Sequence, residues 1–365
     1  MPDYYVSTTA SGSGTGTEGS PFTLAQAAST AVANDRVFVK GDGIHSVPTA
    51  ITPTANFAPT NTSRFVQWIG YTNTITDGGR ATLRLSGSAT TIWAGSARSG
   101  HWLRNLDFDC NAVASSVGVD LNQWNRIENC IVRNWRSIGV QLRAQCTMTR
   151  CRVTGGSGGT GAVSILSTCN VLRNEIIGNA SPGIVISGGN GNVVIVGNLI
   201  IDNTGASSDG INNGAFFGST IEGNTIDGNG RDGIRMTTNL MGHSVRGNIL
   251  MRNGAFGLNL SSSTPIEAGY TPNLYGTGSM ANTSGACNVT LGSADLTTLT
   301  ADPFTNKAGG DYSLNSTAGG GAVARQTLTQ GYVSTTQTSY ADFGAIQAQA
   351  SGTATPPPFG TGGLP

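Results

Sequence analysis

The chain of 365 residues contains 53 glycines and 13 prolines, only 11% of its side chains are charged, and 20 basic groups balance 20 acidic ones. Glycine runs at twice its usual ~7% and charge at under half its usual ~25%. A mean hydropathy of −0.08 excludes the charge-rich disordered class. The glycines have no three-residue period, which excludes collagen, and no apolar run approaches the ~18 residues of a membrane-spanning helix. What remains is a turn-rich β-type chain, long enough for one extended domain or two ordinary ones.

In chain order, the amino-terminal MPDYYVSTTASGSGTG has neither a basic segment nor an apolar one, so no secretory signal is expected in it. Six cysteines (Cys110, Cys130, Cys146, Cys151, Cys169, Cys287) form no CxxC pair and have no neighbouring histidine ligands. No metal and no other cofactor is therefore expected, and the thiols are expected to be free and buried. From Arg126 to Arg173 come seven arginines (Arg126, Arg133, Arg136, Arg143, Arg150, Arg152, Arg173) and one acid, Glu128, in a chain with just two lysines, Lys40 and Lys307. This band reads either as a solvated face or as a docking surface for something anionic. No nucleic-acid module accompanies it, so the partner expected is an acidic polysaccharide or a neighbouring subunit.

The middle of the chain repeats with a period of about 24 residues. TIEGNTIDGNGRDGIRM (220–236) and SVRGNILMRNGAFGLNL (244–260) share an Asn, an aliphatic two residues on, a second Asn, and then Gly-aliphatic. The first Asn falls at 129, 174, 198, 224 and 248 and the second at 134, 179, 203, 229 and 253. Cys151 stands where Asn would in the intervening coil, and a Gly-aliphatic or equivalent pair keeps pace at Gly139, Gly161, Gly183, Gly210, Gly233 and Gly257. Each repeat holds short apolar strands parted by turn residues, and none can bury its aliphatics alone. Stacking the repeats, each strand pairing in parallel with its equivalent about 4.8 Å away, buries them in continuous stacks, with Ile131, Val153 and Ile176 expected in one. The period suits a solenoid of three short strands per coil.

These features resemble the right-handed parallel β-helix of the pectin-lyase-like superfamily, over roughly residues 4–350. The resemblance implies an all-β solenoid with a short amino-terminal helical cap at about Leu24 to Val32, a first coil at RVFVKGDGIHSV (36–47) and an early rung at HWLRNLDFDCN (101–111). DPFTNKAGGDYSLNS (302–316) and YADFGAIQ (340–347) resemble the closing segment of bacterial and phage members. The expected organisation is an N-terminal entry and cap at 1–35, coils at 36–262, an irregular insertion and closing segment at 263–350, and a Pro/Gly-rich tail at 351–365. Likeness to phage members implies a homotrimer.

Chemistry is sought where equivalent positions stack. Asp209 and Asp232 each precede Gly-Ile in the same register on consecutive coils, so their carboxylates are expected about 5 Å apart, near the spacing of a retaining glycosidase pair. Two such acids would split their pKa values as acid–base work requires. Asp202 and Asp227 stand one turn earlier, diagonal to them, and His243 follows on the next coil. Asp-Gly before an aliphatic is equally a turn signal. SDGIN (208–212) in part resembles the Asn-Thr-Asp motif of polygalacturonase-like hydrolases, and Gly242-His243-Ser244 echoes their Gly-His-Gly; the remaining acid of that set is missing. Asp107 and Asp109 are a calcium candidate or a solvated turn. Trp102, Trp124 and Trp135 lie among the arginines and offer sugar-stacking surfaces, or else core and turn plugs. Arg133, Arg136 and Arg152, with Trp124 and Trp135, are the expected glycan- or partner-binding set.

The function expected is that of a structural or adhesive component of an extracellular particle, such as a phage tailspike-like adhesin or capsid decoration. It would bind an acidic or neutral polysaccharide or other virion subunits, with no nucleic-acid or membrane partner. The alternative is a polysaccharide-degrading hydrolase or lyase.

Overall fold

The computed structural model describes residues 2–55, 65–95, 99–188, 191–214, 218–236, 240–260, 266–269, 273–276, 296–321 and 324. Among them, the strands form two eleven-stranded parallel sheets and one eight-stranded parallel sheet, visited in turn by each coil of a right-handed solenoid. One coil, for example, runs Ser219–Glu222 in the first sheet, Thr225–Asp227 in the second and Ile234–Met236 in the third.

Every strand alternates its side chains between interior and exterior, so in-register pairing lines up interior residues along the axis. The first sheet stacks Leu103, Ile127, Met148, Val171, Ile195, Ile221 and Val245, all fully buried. The third stacks Val119, Val140, Val163, Ile184, Ile211, Ile234 and Leu258. In the second sheet the interior stack runs through Val132, Val153, Ile176, Ile200 and Ile226. Ile131, expected in that stack, points outward between Asp107 and Arg152. The expected stack was off by one residue at this strand, and a one-residue slip exchanges the two faces.

The corners follow the expected asparagine series from Asn174 and Asn179 onward and differ from it by one residue only at Asn129 and Asn134. Between the first and second sheets a left-handed residue comes first: Asn129 has φ 51°, Arg150 53°, Arg173 56° and Gly197 67°. The residue after it forms the internal ladder, which runs Cys130, Cys151, Asn174, Asn198, Asn224, Asn248 and Asn273. Asn129 is thus the turn residue, and Cys130 takes the ladder place. At the second corner Asn134 is likewise left-handed, with φ 59°, and Trp135 takes the place occupied further on by Asn179, Asn203, Asn229 and Asn253.

From Asn198 to Asn248 each ladder amide uses both its oxygen and its two amide hydrogens. Asn198 Oδ1 accepts from the Asn174 N–H at 2.9 Å and from Asn174 Nδ2 at 3.0 Å, while Asn198 Nδ2 donates to Val171 O at 2.8 Å and Asn224 Oδ1 at 2.9 Å. These bonds satisfy corner backbone groups that the sheets leave over. The small residue opening the third sheet makes room for the second ladder. A Cβ on Gly210 would stand 2.4 Å from Ile226 Cγ2 and 2.6 Å from Gly233 O.

The ends are closed differently. A helix, Leu24–Thr30, starts at a capping box between Thr23 and Gln26 and lays Ala27 and Ala28 over the core. It stops two residues short of the expected Val32 because Ala31 is already extended. At the other end the ladders run beyond residue 262, with Ile266–Gly269 joining the first sheet and Asn273–Gly276 and Leu296–Leu299 joining the second. An antiparallel hairpin, Phe304–Asn306 with Asp311–Leu314, then folds onto the outer face of the second sheet. There Phe304, Tyr312 and Leu314 cover Leu199, Ile201, Ile249 and Met251. The segment 340–347 and the tail 351–365 lie outside the described residues.

Asn198→Ala removes two donors and a doubly used acceptor from a fully buried site, leaving partners unsatisfied at about 1–3 kcal/mol each. A loss of about 3 kcal/mol in urea unfolding is expected, with no change in the fluorescence of the distant Trp68.

Candidate functional site

Asp209 and Asp232 stack at the mouth of the third sheet, as their register implies, and neither is open to solvent. Asp209 Oδ1 accepts from Arg231 Nε at 2.7 Å, its Oδ2 pairs with Arg231 Nη2, and the Asp232 N–H donates to Oδ1 at 3.2 Å. Asp232 accepts from the Phe256 N–H at 3.1 Å and from Asn259 Nδ2 at 2.8 Å. Burial raises the Asp232 carboxyl above its ordinary range; the Asn259 hydrogen bond opposes this and the neighbouring Asp209 charge adds to it. Each acid ties one coil to the next, and its oxygens are taken.

Asp227 is elsewhere. It points out of the second sheet beneath the closing hairpin, fully buried, with Arg252 at 2.9 and 2.6 Å and Lys307 Nζ at 3.0 Å. Arg252 also bridges to Asp302. This network latches the hairpin to the coils and stands on a different face from Asp209 and Asp232. His243 is buried in the first-sheet strand Leu240–Arg246, beyond the opposite end of the third sheet from those acids. Its Nδ1 meets Ser219 Oγ at 2.5 Å and accepts from the Ser219 N–H at 3.1 Å. Burial pushes the imidazole down to about 4. The four residues expected as a catalytic constellation therefore occupy three separate buried sites.

The arginine band is largely neutralised from within. Arg133 Nε and Nη2 bind Asp107 at 3.0 and 2.9 Å, and Nη2 lies 3.3 Å from Asp109. Arg84 completes that cluster at 2.9 Å from Asp109. Burial would raise the Asp109 carboxyl, but hydrogen bonds from Asn134 and the Asn111 amide, with the Arg133 charge, hold it below its ordinary range. These guanidinium groups occupy the oxygens a calcium ion would need at Asp107 and Asp109. Arg143 binds Asp120 at 2.9 and 2.7 Å, Arg152 lies 3.5 Å from Glu175, and Arg150 lies 3.7 Å from Glu128. The partners sit about one coil away along the chain, and all of them except Glu128 fall outside the segment 126–173. Arg136 is exposed, and its Nε reaches only Ala112 O at 3.3 Å. Trp135 is fully buried, and its ring fills the space that a Cβ on Gly156 would need, 2.0 Å away; it cannot meet a glycan. Trp124 is half-buried at a corner, with φ 54°.

One outward cluster combines accessible aromatic surface with unpaired positive charge. On the first sheet, Gln67, Trp102, Arg126, Thr147 and Asn170 follow one another in register. The Trp102 ring, half-buried, carries Arg104 at 4.7 Å and Arg126 at 5.7 Å from its centroid. Arg126 also lies 4.7 Å over Phe65, whose ring meets Trp102 edge-on at 6.3 Å. Glu128 stands beside it, 3.6 Å from Arg104. Among the described residues Arg126, Arg136 and Arg173 form no ion pair. Trp102 and Arg126 are 24 positions apart, so the repeat itself brings them together; the contribution of Phe65 had no signal in the sequence.

Three parallel faces, stacked interior residues and amide-lined corners define a right-handed parallel β-helix. The chain belongs to the family described as right handed beta helix region, which matches residues 71–216 and 160–295. Pectate lyase Pel9A has the same fold with a TM-score of 0.63 at 12% identity, covering 94% of this chain and 96% of that one. A mannuronic acid specific polysaccharide family 6 lyase from human gut microbiota gives 0.48 at 13% identity, covering 82% and 83%. Tailspike protein 2 from Escherichia coli O157:H7 bacteriophage CAB120 gives 0.46 at 14%, covering 74% of this chain and 43% of that one. At such identities the likeness is one of fold. No curated protein sequence matches the chain.

A buried neutral histidine makes stability depend on pH. The unfolded chain takes up a proton near 6.5 and the folded His243 only near 4, so its contribution is complete above ~6.5 and is lost as pH falls toward 4. Burial lowers His45 in the same direction, whereas Asp232, raised by burial, acts in the opposite one. Between pH 7 and pH 4 the His243 contribution to unfolding free energy should fall by about 3 kcal/mol. Denaturant titrations of His243→Asn should show that limb flattened relative to the parent.

Proposed function

We propose that this chain is a non-catalytic, glycan-binding β-helix protein of an extracellular particle, a tailspike-like adhesin or capsid decoration, acting as a homotrimer. The observation that carries the reading is the Trp102 platform. A half-buried indole packed on the buried Phe65 can present its outer edge and face to a sugar, and Arg126, held over both rings without a carboxylate of its own, offers two parallel donors to an acidic sugar. Gln67, Thr147 and Asn170 continue the same line with neutral hydrogen-bonding groups at one-coil spacing.

The polysaccharide-degrading alternative needs an acid or base that reaches substrate within hydrogen-bonding distance. Asp209 and Asp232 instead spend their oxygens on coil-to-coil bonds, Asp227 is held by Arg252 and Lys307 beneath the closing hairpin, and His243 is buried with its imidazole pushed down to about 4. Arg133 and Arg152, expected to contact glycan or partner, are engaged with acids of this chain.

Binding of the whole protein to a panel of acidic and neutral polysaccharides tests the reading. Trp102→Ala should weaken binding tenfold or more, about 1.4 kcal/mol, and Arg126→Gln should weaken the acidic members selectively. No new reducing ends and no absorbance at about 235 nm, the signature of an unsaturated product, should accumulate. Turnover of any polysaccharide, or unchanged binding by Trp102→Ala, contradicts the proposal.

A further inference from the structure

The ladder between the first and second sheets changes chemistry along its length. From Asn174 onward, amides tie each coil to the next, whereas Cys130 and Cys151 hold the two preceding places. A thiol is a weak donor and a weak acceptor. Cys130 Sγ lies 3.2 Å from Glu128 O and Cys151 Sγ 3.3 Å from Thr149 O, carbonyls of their own coils. A second pair follows on the first sheet, where Cys146 and Cys169 are direct register partners. All four are buried, and none contributes to the Trp102 platform.

We propose that these are two disulfide-forming pairs, Cys130 with Cys151 and Cys146 with Cys169, which covalently staple three successive coils when the chain meets a small-molecule disulfide. In-register parallel neighbours stand about 4.8 Å apart at Cα, inside the roughly 4.4–6.8 Å that a disulfide spans. Arg152 N donates to Cys130 O at 2.9 Å, which fixes the first pair in adjacent coils at the same corner. The step is two thiol–disulfide exchanges. One cysteine thiolate attacks a sulfur of the reagent and releases one small thiol; its partner thiolate then attacks the resulting mixed disulfide and releases the second. The protein gives up two electrons and two protons per link, and the reagent is reduced to two thiols. Each link closes a loop of just over 20 residues, a cross-link that slows unfolding by restricting the open chain. Covalent ties would replace amide ties where the ladder lacks them. The inference is independent of the glycan reading.

The test is refolding of the full chain from denaturant in a mixture of reduced and oxidised glutathione, so that burial does not limit access, followed by non-reducing peptide mapping. The expected products are peptides joining 130 to 151 and 146 to 169, with unfolding slowed at least tenfold and restored by dithiothreitol. Cys146→Ala should abolish the second link and keep the first. Four thiols still titratable after oxidative refolding, or links joining other cysteines in place of these pairs, would overturn the proposal.

Discussion

Pairing between residues roughly 24 positions apart, one coil along the axis, is the constraint on which the rest of this molecule depends. Strand edges, corner carbonyls and outward charges all find partners by the same translation. The buried amides show it most directly: Asn174, Asn198, Asn224 and Asn248 each accept from the preceding coil and donate to the following one. A buried amide left half-bonded would cost more than it contributes, so the ladder is sustainable only because every coil keeps the same corner. Glycines such as Gly210 follow from that corner, since a methyl group there would press on the next coil.

The same translation organises the surface. Arg133 with Asp107, Arg143 with Asp120, Arg246 with Glu222 and Arg252 with Asp227 are all separated by 23 to 26 residues. Charge is thereby cancelled within the chain, and what escapes cancellation becomes conspicuous. Arg126 escapes because its neighbours on the first sheet are Trp102 and Thr147, which carry no charge. That exception is the feature on which the glycan reading rests, whereas Asp209, Asp227 and Asp232 are all engaged by basic groups of the chain.

The period, the parallel faces and the capping helix were legible in the sequence because hydrophobic alternation and turn residues repeat locally. The corner was read one residue early at Asn129 and Asn134, since both a left-handed turn and an internal ladder favour asparagine. The stacking of Asp209 on Asp232 was legible from register, and Arg231, adjacent to Asp232, was visible as a counter-charge to Asp209. The fate of Asp227 was not legible, because Lys307 and the hairpin that bury it arrive some 80 residues later through contacts no repeat encodes. How far the arginine band is neutralised was not legible, because its ion pairs run across coils to Asp107, Asp109 and Asp120 rather than along the segment.

The most direct measurement of this axial coupling is a double-mutant cycle on Asn198 and Asn224, each replaced by alanine, read by urea unfolding of the whole protein. Shared bonds between the two amides predict that the double variant loses about 1–2 kcal/mol less than the sum of the single losses. Strict additivity would mean that the amides act alone and that the ladder is not the element that binds coil to coil.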